Sequence, residues 1–94
     1  MKALWNNKVI AESSETVVIE GNHYFPMKDV KREFLLDSDH TTYCPWKGEA
    51  SYCHIHLEGG DINENAAWYY ADPKEAAAVI KGRIAFWKGV KVEE

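Results

Sequence analysis

The chain has 94 residues, of which 46% are hydrophobic and 13% aromatic, a composition that excludes an intrinsically disordered segment. A domain of this length buries about 60–65% of the surface its unfolded chain exposes, which leaves room for one modest core, so a single domain spanning residues 1–94 is expected. Eleven Lys and Arg stand against fifteen Asp and Glu for a formal charge of −4, which argues against a nucleic-acid partner, because neutralising phosphates takes a basic surface.

Two strands come first, Lys2 to Trp5 and Val9 to Glu12, joined at Asn6-Asn7, where asparagine tolerates the positive φ of a tight hairpin. The β-branched run Thr16 to Glu20 predicts a third strand, and Gly21-Asn22 turns it into His23-Tyr24-Phe25, which Pro26 stops. From Met27 to Leu35 the apolar residues Met27, Val30 and Phe34 recur three and four apart among charges, the stripe of a short helix or helical turn. Asp37-Ser38-Asp39 reads as a loop.

A strand from Ala50 to Leu57 follows, with Ser51, Cys53, Ile55 and Leu57 on one face and Ala50, Tyr52, His54 and His56 on the other. The first face is the apolar one, which assigns Cys53 to packing. Glu58-Gly59-Gly60-Asp61 forms a turn, and a further strand covers Ala66 to Tyr70. Asp72-Pro73-Lys74-Glu75 then reads as a helix start, with Asp72 as N-cap, Pro73 at the first helical position and Glu75 at the third. The helix runs through Ala76 to Ile80 and ends at Gly82. Arg83 to Trp87 and Val90 to Val92 are expected to form a last hairpin across Lys88-Gly89.

No segment approaches the roughly 20 apolar residues needed to span a bilayer, and the amino terminus lacks the apolar run of a signal peptide. A cytoplasmic location without a membrane partner is therefore expected. Two cysteines, Cys44 and Cys53, are too few for a disulfide scaffold and lack the paired spacing of a structural zinc site, so both are expected as thiols.

The chemistry concentrates in Thr42 to Tyr52, where a thiol, an amine, a proline and a glycine share one turn, Thr42-Tyr43-Cys44-Pro45-Trp46-Lys47-Gly48. A lysine three residues from a cysteine can lower the thiol's pKa below ~8.5 and make a nucleophile. The same residues also read as a small packed thiol and a shaped turn, with Lys47 solvated or paired to Glu49 and contributing little to folding as an exposed charge. In a third reading, Lys47 binds a carboxylate or phosphate as a point charge. Trp68 and Tyr70 share a strand face, and with Tyr24 and Tyr52 can wall an apolar pocket holding a few polar groups. His54 and His56 point to one side of a strand, with Glu58 continuing that face, an arrangement able to hold a metal and equally that of an exposed polar face. His23 and His40 show no evident partners.

The Thr-x-Cys-Pro-x-Lys-Gly turn, together with Asn65-Ala66-Ala67-Trp68-Tyr69-Tyr70, Ala85-Phe86 and Tyr24-Phe25-Pro26, closely resembles the signature of the domain of unknown function 427 family. The resemblance covers the chain nearly from end to end. It implies a mainly β (α+β) fold, a compact set of β-tent-like antiparallel sheets with two short helices, and it marks the Cys44 to Gly48 turn as ligand-facing. The better-known β-tent relatives carry structural zinc, whose cysteine pairs this chain lacks. Members are sometimes labelled nucleotidyltransferases, yet no Gly-Ser followed by Asp-x-Asp is present.

The expectation is thus a domain that binds a small polar or anionic molecule at Tyr24, Thr42, Cys44, Lys47, Tyr52, Trp68 and Tyr70, with no cofactor. The alternatives are an enzyme using Cys44 and Lys47 in the same pocket, cysteine-dependent or nucleotidyltransferase-like, and a protein-interaction module. A monomer or a weak homodimer through an edge strand suits each of them.

Overall fold

The computed structural model describes residues 1–94, and most of them lie in nine antiparallel strands. A small sheet holds β1 (Lys2–Trp5), β2 (Lys8–Glu12) and β9 (Lys91–Glu93), in the order β2-β1-β9. A large sheet holds β3 (Val17–Ile19), β4 (Asn22–Pro26), β5 (Leu35–Cys44), β6 (Gly48–His56), β7 (Ile62–Tyr69) and β8 (Arg83–Phe86). Its order is β3-β4-β8-β7-β6-β5. No helix is long and apolar enough to cross a membrane.

Strand alternation builds two cores on opposite faces of the large sheet. Phe25, Cys53, Ile55, Ala67, Ile84 and Phe86 point toward the small sheet and pack with its Ala3, Ile10 and Ala11. An odd number of residues from these along the chain, Tyr24, Ala50, Tyr70 and Ala85 point the other way and meet Ala77 and Ile80. The expected inward face of β6 is therefore confirmed by burial of Cys53, Ile55 and Leu57.

The hairpin at Asn6-Asn7 forms as expected, with both asparagines at positive φ. The β3–β4 turn falls one residue earlier than expected, at Glu20-Gly21, again with positive φ at both positions.

Three expectations are corrected and one is narrowed. Of the short helix or helical turn expected over residues 27–35, only the turn form is present. The segment makes two 3₁₀ turns, Met27–Asp29 and Arg32–Phe34, separated by extended Val30, which bridges to Ala11 while the Lys31 amide donates to the Ile10 carbonyl at 2.8 Å. Pairing with the small sheet overrides the helical spacing. Asp37-Ser38-Asp39 belongs to β5 rather than to a loop; as the outer strand of the sheet, β5 presents polar side chains to water, and a bulge between Asp37 and Thr41 takes up the irregularity.

The segment Glu75–Ile80 is a kinked 3₁₀ helix without a side-chain cap. Its expected start at Asp72-Pro73 fails because Lys74 is held extended, its amide donating to the Lys47 carbonyl at 2.8 Å. Finally, β8 and β9 do not form a hairpin: β8 lies between β4 and β7, and β9 crosses to pair with β1.

Candidate functional site

The β5–β6 connection is a three-residue loop, Pro45-Trp46-Lys47, closed by the Cys44–Gly48 strand pair. Gly48 has φ +109°, a conformation side chains rarely adopt, and its α-carbon faces the backbone of Asp72 and Lys74. That segment clamps the loop: besides the Lys74–Lys47 backbone bond, the Lys74 ammonium donates to the Pro45 carbonyl at 2.7 Å. The clamp turns Lys47 inward, against the second core.

Lys47 is consequently 7% exposed, which corrects the reading of a solvated lysine. Its partner is Glu20, on the β3–β4 turn, and not Glu49. The ammonium lies 5.5 Å from the ring centres of both Trp46 and Tyr70, within cation–π range. Burial works against the charged form, but the Glu20 hydrogen bond and the neighbouring phenols of Tyr24 and Tyr70 outweigh it and hold the pKa above lysine's ordinary value. Lys47 is therefore a permanent cation at the bottom of an aromatic cluster.

Tyr24 and Tyr70 are both buried, and burial pushes both phenols above their ordinary value, so they remain protonated donors at neutral pH. The Tyr24 hydroxyl accepts a bond from Trp68 Nε1 at 3.1 Å, and the two rings meet edge to face at 6.2 Å. Trp68 in turn meets Trp87 edge to face at 5.9 Å. Cys44 is half-buried at the base of the loop, close enough to both phenols to influence their ionisation.

The structure thus gathers Tyr24, Cys44, Lys47, Trp68 and Tyr70 on one face. Tyr52 packs at the edge of the same cluster. Thr42 is exposed, and its hydroxyl bonds the Tyr52 hydroxyl at 3.1 Å rather than reaching the lysine. None of the three principal cavities is lined by Lys47, although Tyr70 also lines the one of about 480 Å³. Glu20 is the member that sequence reasoning missed. It lies 27 residues from Lys47 in the chain, and only the positive-φ turn it shares with Gly21 singles it out.

Three of the four histidines meet partners within the fold. His54 Nδ1 accepts a hydrogen bond from the Asn65 amide at 3.0 Å, which occupies the lone pair a metal would use. Strand β6 ends at His56, so Glu58 does not continue its face, and no group of three His, Cys, Asp or Glu is placed to hold a metal ion. His23 and His40 do find partners, Thr16 Oγ1 at 3.0 Å from His23 Nδ1 and the Tyr52 ring at 4.7 Å from that of His40.

Two antiparallel sheets with only 3₁₀ turns beside them define a mostly β domain, and its tight Cys-Pro-x-Lys-Gly loop buries a cation among aromatic rings. The chain belongs to the domain of unknown function family DUF427, whose model matches residues 1–94. No curated protein matches it.

Proposed function

We propose that this domain binds a small anionic molecule, whose carboxylate or phosphate takes the place of Glu20 on the Lys47 ammonium. The observation that carries the reading is the asymmetry of the ion pair: the Lys47 side chain is 9% exposed and the Glu20 side chain 53%. A buried ammonium left alone costs several kcal/mol, so the position demands an anion. The resident one is half in water, on a two-residue turn at the end of the three-residue outer strand β3. It is the exchangeable half of the pair. Swinging that turn aside would uncover the ammonium between the Trp46 and Tyr70 rings, with phenol donors from Tyr24 and Tyr70 beside it.

The test removes the resident carboxylate and supplies a free one. Glu20→Gly suits the φ of +54° at that position and leaves Lys47 unpartnered. Acetate and inorganic phosphate are titrated into the wild type, into Glu20→Gly and into Glu20→Gly/Lys47→Met, following the backbone amide of Trp46 in nitrogen-15-labelled protein. The single variant should bind either anion about tenfold or more tightly than the wild type, and the double variant should bind neither. A folded Glu20→Gly that responds to neither anion would make Lys47 a structural cation and end the proposal.

A further inference from the structure

The best-defined cavity has a volume of about 480 Å³ and lies past the end of β7, lined mainly by side chains of the core shared with the small sheet, with Tyr70 of the second core reaching it as well. That falls within the roughly 300–1,000 Å³ of small-molecule sites. Its apolar wall comes from Met27, Leu35, Cys53 and Tyr69, all side chains of that first core. Its polar lining is Arg32, Lys81, Arg83 and Asp37, three cations against one carboxylate in a chain whose net charge is −4. Both arginines of the chain are here.

Two features suit those cations to a ligand, although Arg32 and Lys81 are exposed. Neither of the chain's ion pairs, Lys28–Glu15 and Lys47–Glu20, involves Arg32, Lys81 or Arg83, so none of the three is neutralised by a carboxylate of the protein. Arg83 is also held in place: its Nη1 donates to the Glu15 carbonyl at 2.6 Å, which fixes the guanidinium while leaving its other donors to a ligand. An oriented guanidinium is the side chain best matched to a two-oxygen anion. The positions come from two separate parts of the chain, the second 3₁₀ turn and the Lys81-Gly82-Arg83 run that enters β8, which the fold converges on one hollow.

We propose that this cavity is a second binding site, sharing Tyr70 with the Lys47 cluster but not its ammonium, for a small organic anion with an apolar body. The anionic group sits against Arg32, Lys81 and Arg83, the apolar body contacts Met27, Leu35 and Tyr69, and the Cys53 thiol lies on the floor beneath it. Asp37, which forms no ion pair, disfavours a second anionic group on the ligand and leaves an acceptor for a hydroxyl or amide donor.

Phenylbutyrate and its neutral counterpart phenylbutanol are the probes, titrated into the full chain labelled with nitrogen-15 and followed through the backbone amides. Phenylbutyrate should shift Ala71, Lys81 and Gly82 and slow the modification of Cys53 by a thiol reagent, with an affinity that weakens as salt is raised. Arg32→Gln/Lys81→Gln changes two exposed side chains and should weaken phenylbutyrate about tenfold or more while leaving the amide spectrum folded. Ala71→Trp, also at an exposed position, should block the probe by filling the hollow without altering its charge. Equal binding of phenylbutanol, shifts confined to Trp46 and Lys47, or an affinity unchanged in both variants would each overturn the proposal.

Discussion

At Cys53 the thiol points into the first core from β6, directly across from Asp37 of β5, and burial followed by that carboxylate pushes its pKa up to about 11. The folded state therefore favours the neutral thiol over the unfolded chain, whose cysteine ionises near ~8.5. The stability linked to this group is fully present below that value and is lost as pH rises toward about 11. Denaturation midpoints followed upward from neutral pH should fall across that window in the wild type and less in Cys53→Ala; parallel curves would show that the thiol does not titrate there. Cys44 is the more exposed thiol, so a thiol reagent at neutral pH should modify it first. Burial of Cys53 alone predicts that order, and it does not mark Cys44 as a nucleophile. Reaction faster than that of free cysteine would, since only a stabilised thiolate outpaces the free amino acid at neutral pH.

Among the elements, β7 carries the least regular backbone, and Asn65 is its pivot. The residue has φ +54° beside the register shift of the β6–β7 pair. Its amide donates to His54 Nδ1 at 3.0 Å, its side-chain oxygen accepts from Ser38 Oγ at 2.5 Å, and its carbonyl accepts from Trp87 Nε1 at 2.6 Å. The irregularity places Ala66 and Ala67, neighbours in sequence, both in the first core, and still delivers Trp68 and Tyr70 to the opposite face. Asn65→Ala keeps neither the left-handed tolerance nor the Ser38 bond and should cost about 1–2 kcal/mol. Asn65→Gly loses only the bond and should cost less, a difference readable in urea midpoints. Equal losses would assign the whole effect to the hydrogen bond. Alternation made Trp68 and Tyr70 legible as one face from sequence, and Asn-Asn made the first hairpin legible. The bulge was not, because a lone asparagine between Glu64 and Ala66 tolerates a positive φ without requiring one.

For the molecule as a whole, what escaped the sequence is which distant segments meet. Glu20 and Lys47 pair across 27 residues, and the 3₁₀ turns at 27–34 exist because Lys31 reaches the backbone of Ile10. The Lys88-Gly89 turn looks like a local hairpin and has the positive φ of one, yet the chain it redirects joins β1 rather than β8. A local turn signal fixes where a strand ends, while its partner is chosen by which apolar face remains uncovered. Here that face belongs to the small sheet, where Val90 and Val92 pack against the first core and β9 covers the open side of β1. Removing residues 90–94 should therefore cost about 2 kcal/mol from the two valines and lower the thermal midpoint by about 10 °C. The double substitution Val90→Thr/Val92→Thr, which keeps the strand and loses the apolar contact, should account for most of that drop. If the truncated chain melts with the wild type, the first hairpin holds the small sheet without β9, and the pairing that joins the two ends of the chain contributes nothing to the fold's stability.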